Sequence, residues 1–191
     1  MTSAQISFWM SGGYANLLRS KGVSVSESVS ELLKKCEEPR CRYHMACKSG
    51  EDKTTTLVCA AAIELAHGST VHIACANGQK MTDFMDAVKS MFKKLVSKGL
   101  EESLYWNAYA RCLDQRIIWP QGINKYPGYI VYFIDDTPLI DNVVRENLMQ
   151  RISRNPEGKV ISAELAGTDP TWKPTFIGMA APTNVDSAKN P

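Results

Sequence analysis

No apolar run in this chain approaches the roughly 20 residues that a membrane-spanning helix needs, so the sequence predicts no membrane span. Neither sign of charge dominates. Its 22 Lys and Arg against 20 Asp and Glu leave a formal +2, far from the clustered basic excess of a typical nucleic-acid-binding domain, although a local patch would still suffice. The opening stretch from Met1 to Gly13 carries no basic segment and no sustained apolar stretch, so no secretory signal is expected. The six cysteines (Cys36, Cys41, Cys47, Cys59, Cys75 and Cys112) are then expected to be reduced thiols of a non-secreted protein, cytoplasmic or nuclear. There is no G-x-S-x-G elbow and no evident Cys-His nucleophile pair. A G-x-G-x-x-G fingerprint is also missing, which argues against a dinucleotide enzyme. Internal repeats and low-complexity segments are absent too.

What is present is an ordinary globular composition. Of 191 residues, 44% are hydrophobic and 22% charged, enough apolar material for one core and one domain. Residues 1–22 are weakly patterned, residues 23–167 alternate between helix and strand periodicity, and residues 168–191, rich in proline and polar residues, read as an extended tail. In the middle block, Ser24 to Lys35 is a helix, Arg42 to Lys48 a strand, Thr54 to Ala66 a buried helix and Thr70 to Ala76 a buried strand. The clearest helix carries Met81, Phe84, Met85, Val88, Met91, Phe92 and Leu95 at three- and four-residue steps. Leu100 to Ala110 is a further helix, Arg116 to Trp119 a short strand, and Tyr129 to Ile134 the strongest strand. Thr137 and Pro138 then open a helix with Ile140, Val143, Val144, Leu148 and Ile152 on its apolar face, and Lys159 to Leu165 is the last strand. Strands alternating with helices predict a three-layer α/β/α domain with a mainly parallel sheet. In such sheets ligands sit beyond the carboxyl ends of the strands.

Two segments fall at those ends. Lys48-Ser49-Gly50-Glu51-Asp52-Lys53-Thr54-Thr55 joins the first core strand to its helix. A phosphate site of this kind needs free backbone N–H groups at a helix start, a lysine for the phosphates and a hydroxyl for magnesium. Gly50, Lys53 and Thr54 supply these elements. The second segment is the apolar strand ending in Asp135 and Asp136, where one carboxylate would hold magnesium and the next would polarise water.

With these two segments the chain resembles P-loop NTPases, particularly viral terminase ATPase domains and the first half of helicases, over the order of elements from Arg42 to Gly167. The resemblance implies ATP and Mg²⁺ as ligands, with Gly50, Lys53, Thr54 and Asp135 binding the nucleotide and Thr54 and Asp135 holding the metal. Asp136 would be the catalytic residue orienting the attacking water. It also implies work on nucleic acid or in a packaging assembly, self-association, and a place in the cell or in a virion. The loop departs from the family pattern. Where that pattern has glycine before the lysine, this chain has Asp52, preceded by Glu51, so the Walker A motif is degenerate and its carboxylates oppose a triphosphate. The alternative is therefore a catalytically silent structural or interaction protein of a viral or other assembly.

Three other groupings carry chemistry on paper. Cys36, Cys41, His44 and Cys47 are soft ligands in one short stretch, but their spacing matches no common zinc pattern, and on a strand His44 and Cys47 point to opposite faces. Zinc is not expected. Lys89, Lys93, Lys94 and Lys98 form either a nucleic-acid-facing patch or the solvated side of their helix. Tyr105, Trp106 and Tyr109 with Arg111 either stack on bases or a partner or pack in the core.

Overall fold

The computed structural model describes residues 12–48, 50–67, 69–96, 110–112, 130–135, 139–140 and 142–165. These form helices α1 (Tyr14–Ser20) and α2 (Glu27–Cys36), strand β1 (Arg42–Cys47), helix α3 (Gly50–Ala66), strand β2 (Thr70–Ala74) and helix α4 (Gly78–Leu95). Strands β3 (Ala110–Cys112) and β4 (Ile130–Ile134), helix α5 (Asn142–Arg154) and strand β5 (Lys159–Leu165) complete the described chain.

All strand pairings are parallel, in the order β1-β5-β4-β2-β3. The order dictates the layers. Right-handed crossovers place helices on one face while the chain steps one way across a sheet, and on the other face when it steps back. From β1 to β2 and on to β3 the chain moves outward through α3 and α4; from β4 to β5 it returns through α5. The two cores show the result. Val71, Ile73, Val131, Phe133, Ile161 and Ala163 pack against α1, α2, α3 and α4. Their strand neighbours Ala74, Tyr132, Ile134 and Val160 pack against Leu148 and Ile152 of α5. The domain is thus a three-layer α/β structure on a parallel sheet, as the alternating pattern predicts.

Helix α3 is central. From Leu57 to Leu65 every residue is buried, including Ala60, Ala61 and Ala62, whose small side chains let the helix lie close to the sheet while α2 and α4 also pack against it. Full burial explains why its sequence shows no polar stripe. Helix α4 is the opposite case. Met81, Phe84, Val88, Phe92 and Leu95 are buried and Lys89, Lys93 and Lys94 are exposed. Caps set the helix starts. Ser26 Oγ accepts the N–H of Val29 at 3.3 Å, and Asn77 Oδ1 accepts that of Lys80 at 2.9 Å.

The structure departs from the sequence expectations in several places. Helix α1 falls in the weakly patterned opening, and its Tyr14, Leu17 and Leu18 join the main core. Its entry is tight. Gly13 has φ 117°, and a methyl added there would meet the Glu37 carboxylate at 2.7 Å, the same carboxylate that accepts the Tyr14 N–H at 2.7 Å. Helix α3 begins at Gly50, four residues before the expected Thr54, because Gly50 to Lys53 form its first turn rather than a loop. Ala110, expected to end a helix, begins β3, where parallel pairing with β2 sets Ala110 opposite Val71. Residues 100–109, the strand expected at Arg116 to Trp119, Thr137 with Pro138, and the tail from 168 lie outside the described residues.

Candidate functional site

The carboxyl ends of β1 and β4 flank that of β5, and each leads into one half of the site. Strand β1 ends at Cys47, and after two intervening residues α3 begins at Gly50. Lys53 lies in this first turn and Asp135 follows the last residue of β4. The Asp135 N–H donates to the Ala74 carbonyl at the end of β2 at 2.9 Å, which fixes the strand end. Across the tip of the sheet, Lys53 Nζ lies 2.9 Å from Asp135 Oδ1, with only 4% and 9% of the two side chains exposed.

This is an electrostatically costly arrangement. A lysine in the first turn faces the positive end of the helix dipole, and burial strips both charges of water. Asp135 offsets both effects. Residues 82 positions apart (135 less 53) meet at the place where open α/β sheets take ligands.

The remaining predicted residues are placed as follows. Gly50 is the first residue of α3, and Thr54, next to Lys53, is half-buried. Asp52 is half-buried as well. Its carboxylate accepts Ser28 Oγ–H of α2 at 3.0 Å, and its carbonyl accepts Thr56 Oγ1–H at 2.7 Å. Beneath the pair, burial pushes the Cys47 thiol up, and the Asp52 carboxylate adds to the rise while Lys53 opposes it. Asp136 lies outside the described residues. The two residues between β1 and α3 are too few to wrap a chain of phosphates, so any anion here would rest on the helix end and Lys53.

The candidate zinc ligands are dispersed. The Cys36 carbonyl ends α2, and Cys41 Sγ–H reaches it at 3.9 Å. His44 lies on the α5 face of the sheet, its Nδ1 2.9 Å from Ser162 Oγ and its Nε2 3.3 Å from Glu164 Oε1, all three residues buried. Cys47 belongs to the opposite core. Among the described residues no group of three or more His, Cys, Asp or Glu is placed to hold a metal ion. Among them, too, no helix is long and apolar enough to cross a membrane. Lys98 of the basic cluster lies outside the described residues.

A second buried polar centre, at the amino end of β5, was not legible in the sequence. Lys159 Nζ donates to Glu64 Oε1 at 2.6 Å, to the Cys36 carbonyl at 2.8 Å and to the Tyr14 hydroxyl at 3.2 Å. Tyr14 and Ser69 hydroxyls both donate to Glu64, the latter at 2.8 Å. Burial would raise the Glu64 carboxyl, but the Lys159 charge and these hydrogen bonds outweigh it and hold the carboxyl below its usual range. Burial, with Glu64 beside it, lifts the Tyr14 hydroxyl well above its usual value. The one signal available was a lone acid in the run AAIELA and a lysine heading an apolar strand. Every donor and acceptor here is turned inward, which ties α1, α2 and α3 to β5 and marks the centre as structural.

Compared with known proteins, the chain matches no family model and no curated sequence.

Proposed function

We propose that this chain is a P-loop-NTPase-like domain that binds the phosphates of a nucleotide at the carboxyl end of its sheet. The observation that carries the reading is the buried contact between Lys53 and Asp135. A buried ion pair at the carboxyl edge of a parallel sheet stands where such folds take their ligands. Lys53, with the N–H groups of Gly50 to Lys53, would neutralise and orient the phosphates. The Thr54 hydroxyl and the Asp135 carboxylate are hard oxygen donors of the type magnesium takes, and they fit a metal shared with the phosphates. When bound, that ion would neutralise charge developing on the transferred phosphoryl group. Asp136 would accept a proton from, and so orient, the attacking water. ATP and GTP suit these groups equally.

The setting follows from the same resemblance: a non-secreted, cytoplasmic, nuclear or virion protein that self-associates and acts on nucleic acid or in a packaging assembly. Lys89, Lys93 and Lys94, exposed along α4, supply a basic face for nucleic acid. Lys53→Ala should abolish nucleotide hydrolysis, and hydrolysis unchanged in that variant would remove the assignment.

A second reading is a catalytically silent component of a multi-subunit assembly. The early start of α3 and the Asp52 carboxylate at its end favour it. Absence of binding at millimolar magnesium-nucleotide would select this reading, and mass in solution would then report assembly.

A further inference from the structure

Cys36 closes α2 and Cys41 stands immediately before β1, and neither belongs to the site proposed for nucleotide. Residues 37–40 between them turn the chain back on itself. The Cys41 N–H donates to the Glu38 carbonyl at 3.3 Å, and Arg40 takes the left-handed region at φ 60°, uncommon for a residue other than glycine. Strand β5 then holds both cysteines by their backbones with consecutive residues. Lys159 Nζ donates to the Cys36 carbonyl at 2.8 Å, and the Val160 N–H donates to that of Cys41 at 2.9 Å.

The side chains follow. Cys41 Sγ lies 3.9 Å from the Cys36 carbonyl oxygen, so one sulfur rests against the backbone of the residue that carries the other. Cys36 is buried and Cys41 is partly buried. Burial raises both thiols, Cys41 adds to the rise at Cys36, and the Lys159 charge opposes it at each. The two sulfurs thus sit together beside a fixed cation, and a cation steadies the thiolate that disulfide exchange requires.

We propose that Cys36 and Cys41 are a reversible dithiol–disulfide pair whose reaction partner is a small-molecule disulfide such as glutathione disulfide. Cys41, the more exposed of the two, attacks first as its thiolate. Its sulfur bonds to one glutathione sulfur, and the other glutathione leaves as a thiol with the proton that Cys41 gave up. Cys36 then attacks the Cys41 sulfur, forms the internal bond and releases the second glutathione with its own proton. Both protein thiols are oxidised and one glutathione disulfide is reduced to a pair of thiols, so atoms and electrons balance. Few thiolates form near neutral pH, so the exchange is slow and reaches equilibrium over hours. In a reducing medium the pair rests as thiols. Once formed, the bond fastens the end of α2 to the start of β1 at the amino end of the sheet. The inference does not depend on the nucleotide reading.

The test equilibrates the full chain with graded mixtures of reduced and oxidised glutathione, followed by acid quench, intact mass and tryptic mapping. Trypsin cuts after Lys35, Arg40 and Arg42, so the bond should join peptides 36–40 and 41–42 with the loss of two hydrogens. Native geometry that suits the bond must also make it harder to reduce. The equilibrium constant for forming it should be at least about tenfold larger in the native chain than in the same chain unfolded in urea. Cys36→Ser should stop at a glutathione adduct on Cys41, and Cys41→Ser should leave Cys36 a thiol. Circular dichroism checks that these variants fold, and the wild-type titration decides the matter if they do not. A constant no larger in the native chain would overturn the assignment. So would a glutathione adduct that persists on wild-type Cys41, or a different pair of cysteines forming in its place.

Discussion

Replacing Lys159 with methionine tests the polar centre beneath the sheet. Lys159 and Glu64 are 2% and 4% exposed, and hydrogen bonds from the lysine join β5 to α1, α2 and α3. Methionine fills a similar volume, so the principal loss is electrical. Glu64 would keep only the Tyr14 and Ser69 hydroxyls, a net buried charge with no cation. Breaking one side of a buried pair costs about 3–5 kcal/mol. For a chain of this size each kcal/mol moves the midpoint by roughly 2–4 °C, so Tm should fall by about 10 °C. The loss should also depend on pH. Glu64 has a folded-state pKa below its ordinary 4.5. Its ionised form therefore contributes stability that is fully present above that value and is lost as pH falls through the lowered one. In Lys159→Met the carboxyl loses its counter-charge and burial raises its pKa, so the variant should recover relative to wild type in acid. Glu64→Gln added to Lys159→Met should restore part of the loss at neutral pH, because no charge is left unpaired. Thermal unfolding by circular dichroism between pH 4 and pH 8, at roughly one-unit steps, reads all three effects. A Tm within about 2 °C of wild type at pH 7 would refute the account of a coupled buried pair.

Tyr14→Phe removes only the hydroxyl that donates to Glu64 and should cost about 1–3 kcal/mol by urea denaturation, with α1 still packed. Leu57→Ala, at a fully buried position of α3, should cost about 2–5 kcal/mol in the same assay. Burial pushes the Cys41 and Cys59 thiols up to about 11 and raises that of Cys36 well above its ordinary value, so few thiolates form at pH 8. Peptide mapping after brief iodoacetamide treatment of the native protein should find these three unlabelled, and labelling at rates of a free thiol would contradict the burial of Cys36 and Cys59 and the partial burial of Cys41.

How much the sequence reveals follows from how local each signal is. The stripe from Met81 to Leu95 needs only its own helix, and the apolar run before Asp135 needs only its own strand; both stand where the pattern puts them. The start of α3 is misread because Gly50, Glu51 and Asp52 are also loop formers, and nothing nearby separates an acidic first helical turn from a polar connection. Helix α1 escapes notice since its seven residues are too few to display a period, and Tyr14, Ala15, Leu17 and Leu18 are all buried. The strand at Ala110 depends on pairing with β2. The charged centres divide in the same way. Lys53 and Asp135 could be singled out because each ends a recognisable local unit, whereas Lys159 and Glu64 acquire meaning only through contacts 95 residues apart.

The most direct measurement of the central claim compares magnesium-nucleotide binding to wild type and to Lys53→Ala by calorimetry, with unfolding curves confirming that both are folded. The account predicts binding by the wild-type chain and its loss in the variant. Equal binding by both, or none by either, would contradict it.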